Sequence, residues 1–178
     1  MAGPAPGESA LVIFLPTQAA QVVNIWRRRY DPYIAEVDPH ITLAYPPFVP
    51  ETTWPSVRPA VQSVIGQFSS FSIQLRRTGV FTQPAHVLWL QPENSAILEH
   101  IHAALKTALP EFITSRELPF VPHVTLGFFQ ELRSLENARR IVDAELSPLE
   151  FPVTEVCYLA RETDPLWGPR DCLPFHLV

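Results

Sequence analysis

Pro39-His40-Ile41-Thr42-Leu43-Ala44-Tyr45 and Pro122-His123-Val124-Thr125-Leu126-Gly127-Phe128 are one heptapeptide written twice. Pro, His, Thr and Leu are identical in the two copies, and the remaining pairs are Ile/Val, Ala/Gly and Tyr/Phe. The surroundings repeat as well. A short apolar run (Leu11–Leu15) and a helical pattern with Val22, Val23, Trp26 and Tyr30 precede the first copy. Val87–Leu90 and a helix carrying Ile97, Ile101, Leu105 and Ala108 precede the second. A helix over Val57–Phe68 follows the first copy. Another, carrying Leu135, Ala138, Val142 and Leu146, follows the second, with Thr17 and Ser134 offering caps. Phe71–Leu75, Val153–Leu159 and Leu173–Val178 complete the strands.

An internal repeat of this kind predicts two equivalent lobes. The expected fold is α+β and bilobal, with two antiparallel sheets flanking a central cleft and helices outside. It forms a single domain over 10–178 with lobe-like halves near 10–80 and 81–178, preceded by a flexible tail over 1–9. The 20 prolines are scattered and bound apolar runs, so they read as punctuation rather than a linker.

In a strand, alternate residues share a face. His40, Thr42 and Ala44 are therefore expected on one face and Ile41, Leu43 and Tyr45 on the other. The same parity sets His123, Thr125 and Gly127 against Val124, Leu126 and Phe128. The apolar triplets read as core. The other faces bring two imidazoles and two hydroxyls into one cleft. An imidazole titrates near neutrality, so one copy can act as base while its twin acts as acid. Each Thr hydroxyl can donate to a phosphoryl oxygen as charge builds there. By parity Phe129 is expected at the cleft mouth, where it would stack on a base, with packing in the core an equal alternative, and Arg161 is the candidate phosphate contact. Arg76 and Arg77 also lie near the cleft strands, and each of the three arginines taken alone reads as a solvated charge. His86 reads as a surface or rim residue, His100 and His102 as solvent-exposed, and His176 as structural.

Composition narrows the partners. Hydrophobic residues make up 47% of 178 residues, enough for a core, and the formal net charge is −5. Proteins that grip long nucleic acid through many phosphates are usually basic, so a small nucleotide or an RNA end fits better than a duplex. Cys157 and Cys172 lack a CxxC spacing and read as neither a disulfide framework nor a metal site. No signal-like or membrane-spanning run stands out. The expected protein is cytoplasmic, monomeric, without cofactor, metal or membrane attachment.

The paired motifs His40-Ile-Thr-Leu and His123-Val-Thr-Leu resemble the two signatures of the 2H phosphoesterase superfamily, most closely its bacterial 2′-5′ RNA ligase branch. Gly79-Val80-Phe81 and Val87-Leu88-Trp89-Leu90 resemble that family's intervening strand pair. The resemblance implies His40, Thr42, His123 and Thr125 as catalytic residues and metal-independent hydrolysis of 2′,3′-cyclic phosphates to 2′-phosphates. In some members it also implies reversible 2′-5′ joining of RNA ends. It assigns His123 as base and His40 as acid, and it implies an Arg where His86 stands. Two other readings stay open: a nucleotide- or RNA-binding protein without turnover, and a metal-dependent hydrolase using both histidines as ligands.

Overall fold

A computed structural model of the chain describes residues 8–113, 119–161 and 166–176. Along it run β1 (Ser9–Phe14), α1 (Thr17–Tyr30), β2 (His40–Ala44), α2 (Trp54–Ile65), β3 (Phe71–Phe81) and β4 (His86–Pro92). Then come α3 (Ser95–Ala108), β5 (Val124–Phe129), α4 (Leu132–Glu145), β6 (Leu149–Val153), β7 (Glu155–Ala160) and β8 (Gly168–Pro174). Residues 1–7 of the expected tail, and Leu177 and Val178 of the expected last strand, lie outside the described residues; Ser9 already belongs to β1.

The class is α+β as expected, but the two-sheet arrangement is not what forms. All strands join one eight-stranded antiparallel sheet in the order β6-β3-β4-β5-β2-β1-β7-β8. The motif strands β2 and β5 are its central neighbours, with Ile41 opposite Val124. That narrow seam knits the two halves into a continuous ladder. Each half draws on distant sequence: β3 lies with β4 and β5, whereas β7 and β8 lie with β1 and β2. The sheet curls, because only Thr154 separates β6 at one edge from β7 near the other, and Ser69 bridges His176. The expected strand Val153–Leu159 is thus broken at Thr154, and its pieces pair with β3 and β1 respectively.

Two helix starts also differ from expectation. Pro16 occupies the cap position of α1, so Thr17 lies inside the helix, and α4 begins after Glu131, ahead of Ser134. A proline's fixed φ suits a helix start without any side-chain cap. Cys157 and Cys172 form a disulfide, contrary to the reading from spacing. They stand directly opposite on β7 and β8, a relation created by cross-strand register and invisible in linear spacing. Among the described residues no helix is long and apolar enough to cross a membrane.

The four helices share one face of the sheet. Val23 and Trp26 of α1, Val61 and Ile65 of α2, Leu98 and Ile101 of α3, and Leu135 and Val142 of α4 all enter one apolar core. Ile41, Leu43, Val124 and Leu126 point into it from the motif strands. Among the described residues, the opposite face carries a smaller cluster of Ala10, Val12 and Leu159, with Phe14, Val37 and Trp167 packed against it. The cleft lies on that sparsely covered face.

A bulge sits at the same place in both motifs. Leu11 pairs Ala44 while Val12 pairs Thr42, and Leu88 pairs Gly127 while Trp89 pairs Thr125, so Leu43 and Leu126 are the extra residues. One extra residue reverses the alternation beyond it. Ala44 therefore joins the core, and Gly127 meets α1: a Cβ there would stand 2.3 Å from the Tyr30 Cβ. The carbonyl of Leu43 is taken up by His102, whose Nδ1–H donates to it at 2.7 Å while the ring stacks on Phe120 at 3.9 Å. His102 is thus a packed structural residue, not the exposed one its helical position suggested.

Candidate active site

The two motif histidines are fixed by the same local device. His40 Nδ1 lies 2.7 Å from the carbonyl of Asp38, and His123 Nδ1 lies 2.7 Å from the carbonyl of Val121. A carbonyl only accepts, so each Nδ1 carries the proton. Nε2 is then left as the atom that can take up or release a proton, which makes the two rings alike in tautomer. The buried prolines at 39 and 122 separate each ring from the carbonyl it uses, and Leu15 N–H anchors the carbonyl of Pro39.

Burial dominates the electrostatics of both rings. It lowers His40 from the ordinary 6.5 to about 4; the Asp38 carbonyl opposes this, Arg27 and His123 add to it, and Asp31 opposes it. The charge effect of His123 on His40 puts both imidazoles in one electrostatic neighbourhood. His123 is also lowered, by burial first, against the pull of the Val121 carbonyl.

A cavity of about 230 Å³ opens beside them, and His40, Thr42 and Thr125 line it. Three of the four expected residues thus share one space. His123 stands next to it, between Phe81 at 5.0 Å and Trp89 at 5.7 Å, and Trp89 is the cross-strand partner of Thr125. The Trp89 ring lies over Gly79, where a Cβ would come within 2.2 Å of it, so the glycine gives the indole its place.

Sequence reasoning misplaced the aromatic contact. Phe128 lines the cavity, while Phe129 packs against the helical core and stands 5.5 Å from Tyr30. The bulge at Leu126 accounts for the exchange. Arg161 does not line the cavity; it pairs at 3.6 Å with Glu36, which does. Arg76 and Arg77 reach Glu93 at 3.6 and 3.9 Å. His86 pairs with Phe129 at the end of β4, and His100 and His176 are exposed.

Two cavity residues, Arg27 and Asp31, went unrecognised in the sequence. Arg27 looked like part of the run Arg27–Arg29, yet it is buried and donates from Nε to Asp31 at 2.8 Å. The spacing of four across a helix end was the available signal. Among the described residues, the one group of three His, Cys, Asp or Glu close enough to hold a metal is Glu155, Cys157 and Cys172, and its sulfurs are joined in the disulfide.

The chain resembles known proteins in both sequence and fold. Residues 15–165 match the family model of the 2′-5′ RNA ligase superfamily. A Geobacillus kaustophilus protein provisionally named a phosphoesterase is 28% identical over 144 residues, covering 81% of each chain. A Bacillus cereus protein with the same provisional name is 31% identical over 128 residues, covering 72% of each. Among solved structures, TT0787 of Thermus thermophilus superposes with a TM-score of 0.68 at 19% identity, over 93% of this chain and 96% of that one. Escherichia coli LigT complexed with 3′-AMP gives 0.64 at 20%, over 96% and 99%. Kluyveromyces marxianus Usb1 gives 0.62 at 16%, over 96% and 100%.

Proposed function

Because the chain belongs to the 2′-5′ RNA ligase superfamily, the 2H phosphoesterases, we propose that it hydrolyses 2′,3′-cyclic phosphate ends of RNA or small nucleotides to 2′-phosphates. The observation that carries the reading is the pair of identically held imidazoles, each with Nδ1 on a carbonyl and Nε2 left for proton exchange. Water attacks phosphorus as one imidazole takes its proton; the P–O3′ bond breaks, and the other imidazole protonates the departing O3′. Thr42 and Thr125 donate to the non-bridging oxygens, where negative charge grows.

The asymmetry of the cleft supports the assignment of roles. In a 2′,3′-cyclic phosphate the departing oxygen stays on the ribose, so the nucleoside lies on the acid's side of phosphorus. The cavity, with Phe128 and Tyr33 in its wall, adjoins His40. His40 is therefore the acid and His123, on the far side, the base that serves the incoming water. A bound phosphodiester anion raises both imidazoles toward the range in which the acid carries its proton.

The test is turnover of 2′,3′-cyclic mononucleotides, cyclic-ended oligonucleotides and 2′-5′ dinucleotides by purified protein in EDTA. Hydrolysis to 2′-phosphates is expected to persist, because two imidazoles supply the acid and base that a metal-bound water would otherwise replace. Nucleotide binding with no hydrolysis of any substrate would make the protein a binding module. Activity lost in EDTA and restored by zinc or manganese would make it a metal hydrolase.

A further inference from the structure

A phosphoester is an anion, and the cavity needs a positive charge to hold one. Its wall contains the carboxylates of Asp31 and Glu36, and burial lowers His40 to about 4, so the free ring adds no charge near neutrality. Among the described residues, Arg27 is the one Lys or Arg in that wall. Its guanidinium is fixed from behind by three partners: Nε donates to Asp31 Oδ2 at 2.8 Å, Nη1 to Asn24 Oδ1 at 3.3 Å, and Nη2 to the Val37 carbonyl at 2.9 Å. Three of the five N–H groups of an arginine are thereby engaged, and each terminal nitrogen keeps one more. Asp31 is satisfied in turn, its second oxygen accepting the Tyr33 N–H at 2.9 Å.

A structural role alone accounts poorly for this arrangement. Side-chain exposure is 4% for Arg27 and 3% for Asp31, and a pair so deeply buried is usually no more stabilising than apolar residues of similar size. A buried guanidinium with its direction set in advance is, however, what binding an anion without reorganisation requires. The other half has nothing comparable, since α3, SAILEHIHAALKTA, contains no arginine.

We infer that Arg27 is a substrate-anchoring residue, donating from its terminal nitrogens to a phosphoryl oxygen on the His40 side of the cleft while Asp31 holds it in place. This rests on the phosphoesterase reading above, and it makes the anchoring one-sided where the His-x-Thr motifs are two-sided.

Calorimetric titration with inorganic phosphate and with a nucleoside 2′-phosphate, neither of which requires turnover, tests the anchor. In Arg27→Met/Asp31→Leu, which removes both charges together, Kd for each should weaken roughly 10- to 100-fold, the loss expected for one charge-assisted hydrogen bond. Arg27→Lys should recover part of that loss, because it keeps the charge without the fork. A double variant with wild-type circular dichroism, wild-type Kd and wild-type KM overturns the anchor. Should the double variant not fold, Asp31→Asn decides. It keeps Arg27 and an amide oxygen that still accepts from Nε and holds it in place, while removing the competing negative charge. Phosphate should therefore bind as tightly as in the wild type or more so, and weaker binding by the folded variant rejects the proposal. If the wild type binds phosphate but hydrolyses no cyclic phosphate, the proposed function fails and the titrations still judge Arg27. If hydrolysis is present and the double variant's Kd is unchanged, only the anchor fails.

Discussion

The His40 and His123 copies share a bulge at the motif leucine, a buried proline, and an Nδ1 bond to the carbonyl two residues back. Their surroundings differ. His40 faces an open cavity and feels the buried Arg27–Asp31 pair, with Phe14 in edge contact at 6.3 Å. His123 is set against Phe81 and Trp89, outside the cavity wall. Acid–base catalysis by a pair needs two groups that hold their protons differently. The duplicated motif supplies like groups, and the unlike neighbours distinguish them. On the proposed mechanism, what distinguishes the two copies lies in α1, the loop after it and the β3–β4 pair, rather than in the motifs.

Removing a ring should have the largest effect. His40→Ala and His123→Ala are each expected to lower kcat by ~10²–10⁴, the usual worth of general acid–base catalysis. The double variant should lose little more, because the two act as a unit. A cyclic substrate with sulfur in place of the 3′ leaving oxygen needs little protonation to break. It should rescue His40→Ala and leave His123→Ala inactive. The opposite pattern exchanges the roles, and rescue of neither ends the paired acid–base mechanism. Next come Thr42→Val and Thr125→Val, each costing up to ~10²–10³ in kcat, as a single oxyanion donor does. A threonine variant slower than either histidine variant would reverse that order.

A smaller effect separates neighbours in sequence. Phe128→Ala should raise KM about 10-fold by removing part of the cavity wall, a loss like that of a few methylenes in an apolar pocket. Phe129→Ala should leave KM unchanged and lower stability by ~1–3 kcal/mol, less than a fully buried phenylalanine because the residue is only partly buried. Steady-state kinetics beside thermal unfolding would distinguish them, and a KM effect at 129 instead of 128 would refute the register given by the bulge.

That pair of residues also marks where the sequence stopped being legible. The repeated heptapeptide identified the candidate histidines and threonines, and apolar periodicity located all four helices, since both signals are local. Alternation failed past Leu43 and Leu126 because an extra residue on one strand is defined only against its partner. The same limit hid the Cys157–Cys172 bond and the union of both halves into one sheet, each set by which strands become neighbours. Arg27 was obscured differently: burial and its partner Asp31, rather than its place in a basic run, give it meaning.

The smallest effect concerns stability in acid. His40 stands at about 4 when folded, against an ordinary 6.5. Between those values the unfolded chain binds a proton that the folded protein refuses, so stability falls as pH drops from 6.5 toward 4 and is fully present above 6.5. The whole difference corresponds to ~3 kcal/mol, and ~1–2 kcal/mol is a better expectation because the ring keeps contact with solvent. For a chain of this size that is a Tm decrease of roughly 2–8 °C between pH 7 and pH 4.5. Carboxylates such as Asp171, lowered chiefly by its hydrogen bond from Arg58, also lose their contribution at lower pH. The informative quantity is therefore the difference between wild type and His40→Gln. The variant should show a shallower decrease, and saturating phosphate should flatten the wild-type curve by favouring the protonated ring. His123→Gln should act in the same direction, since burial lowers that ring as well. If wild type and His40→Gln give superimposable Tm–pH curves, His40 is not held neutral by its burial, and the contrast between the two copies must come from His123 alone.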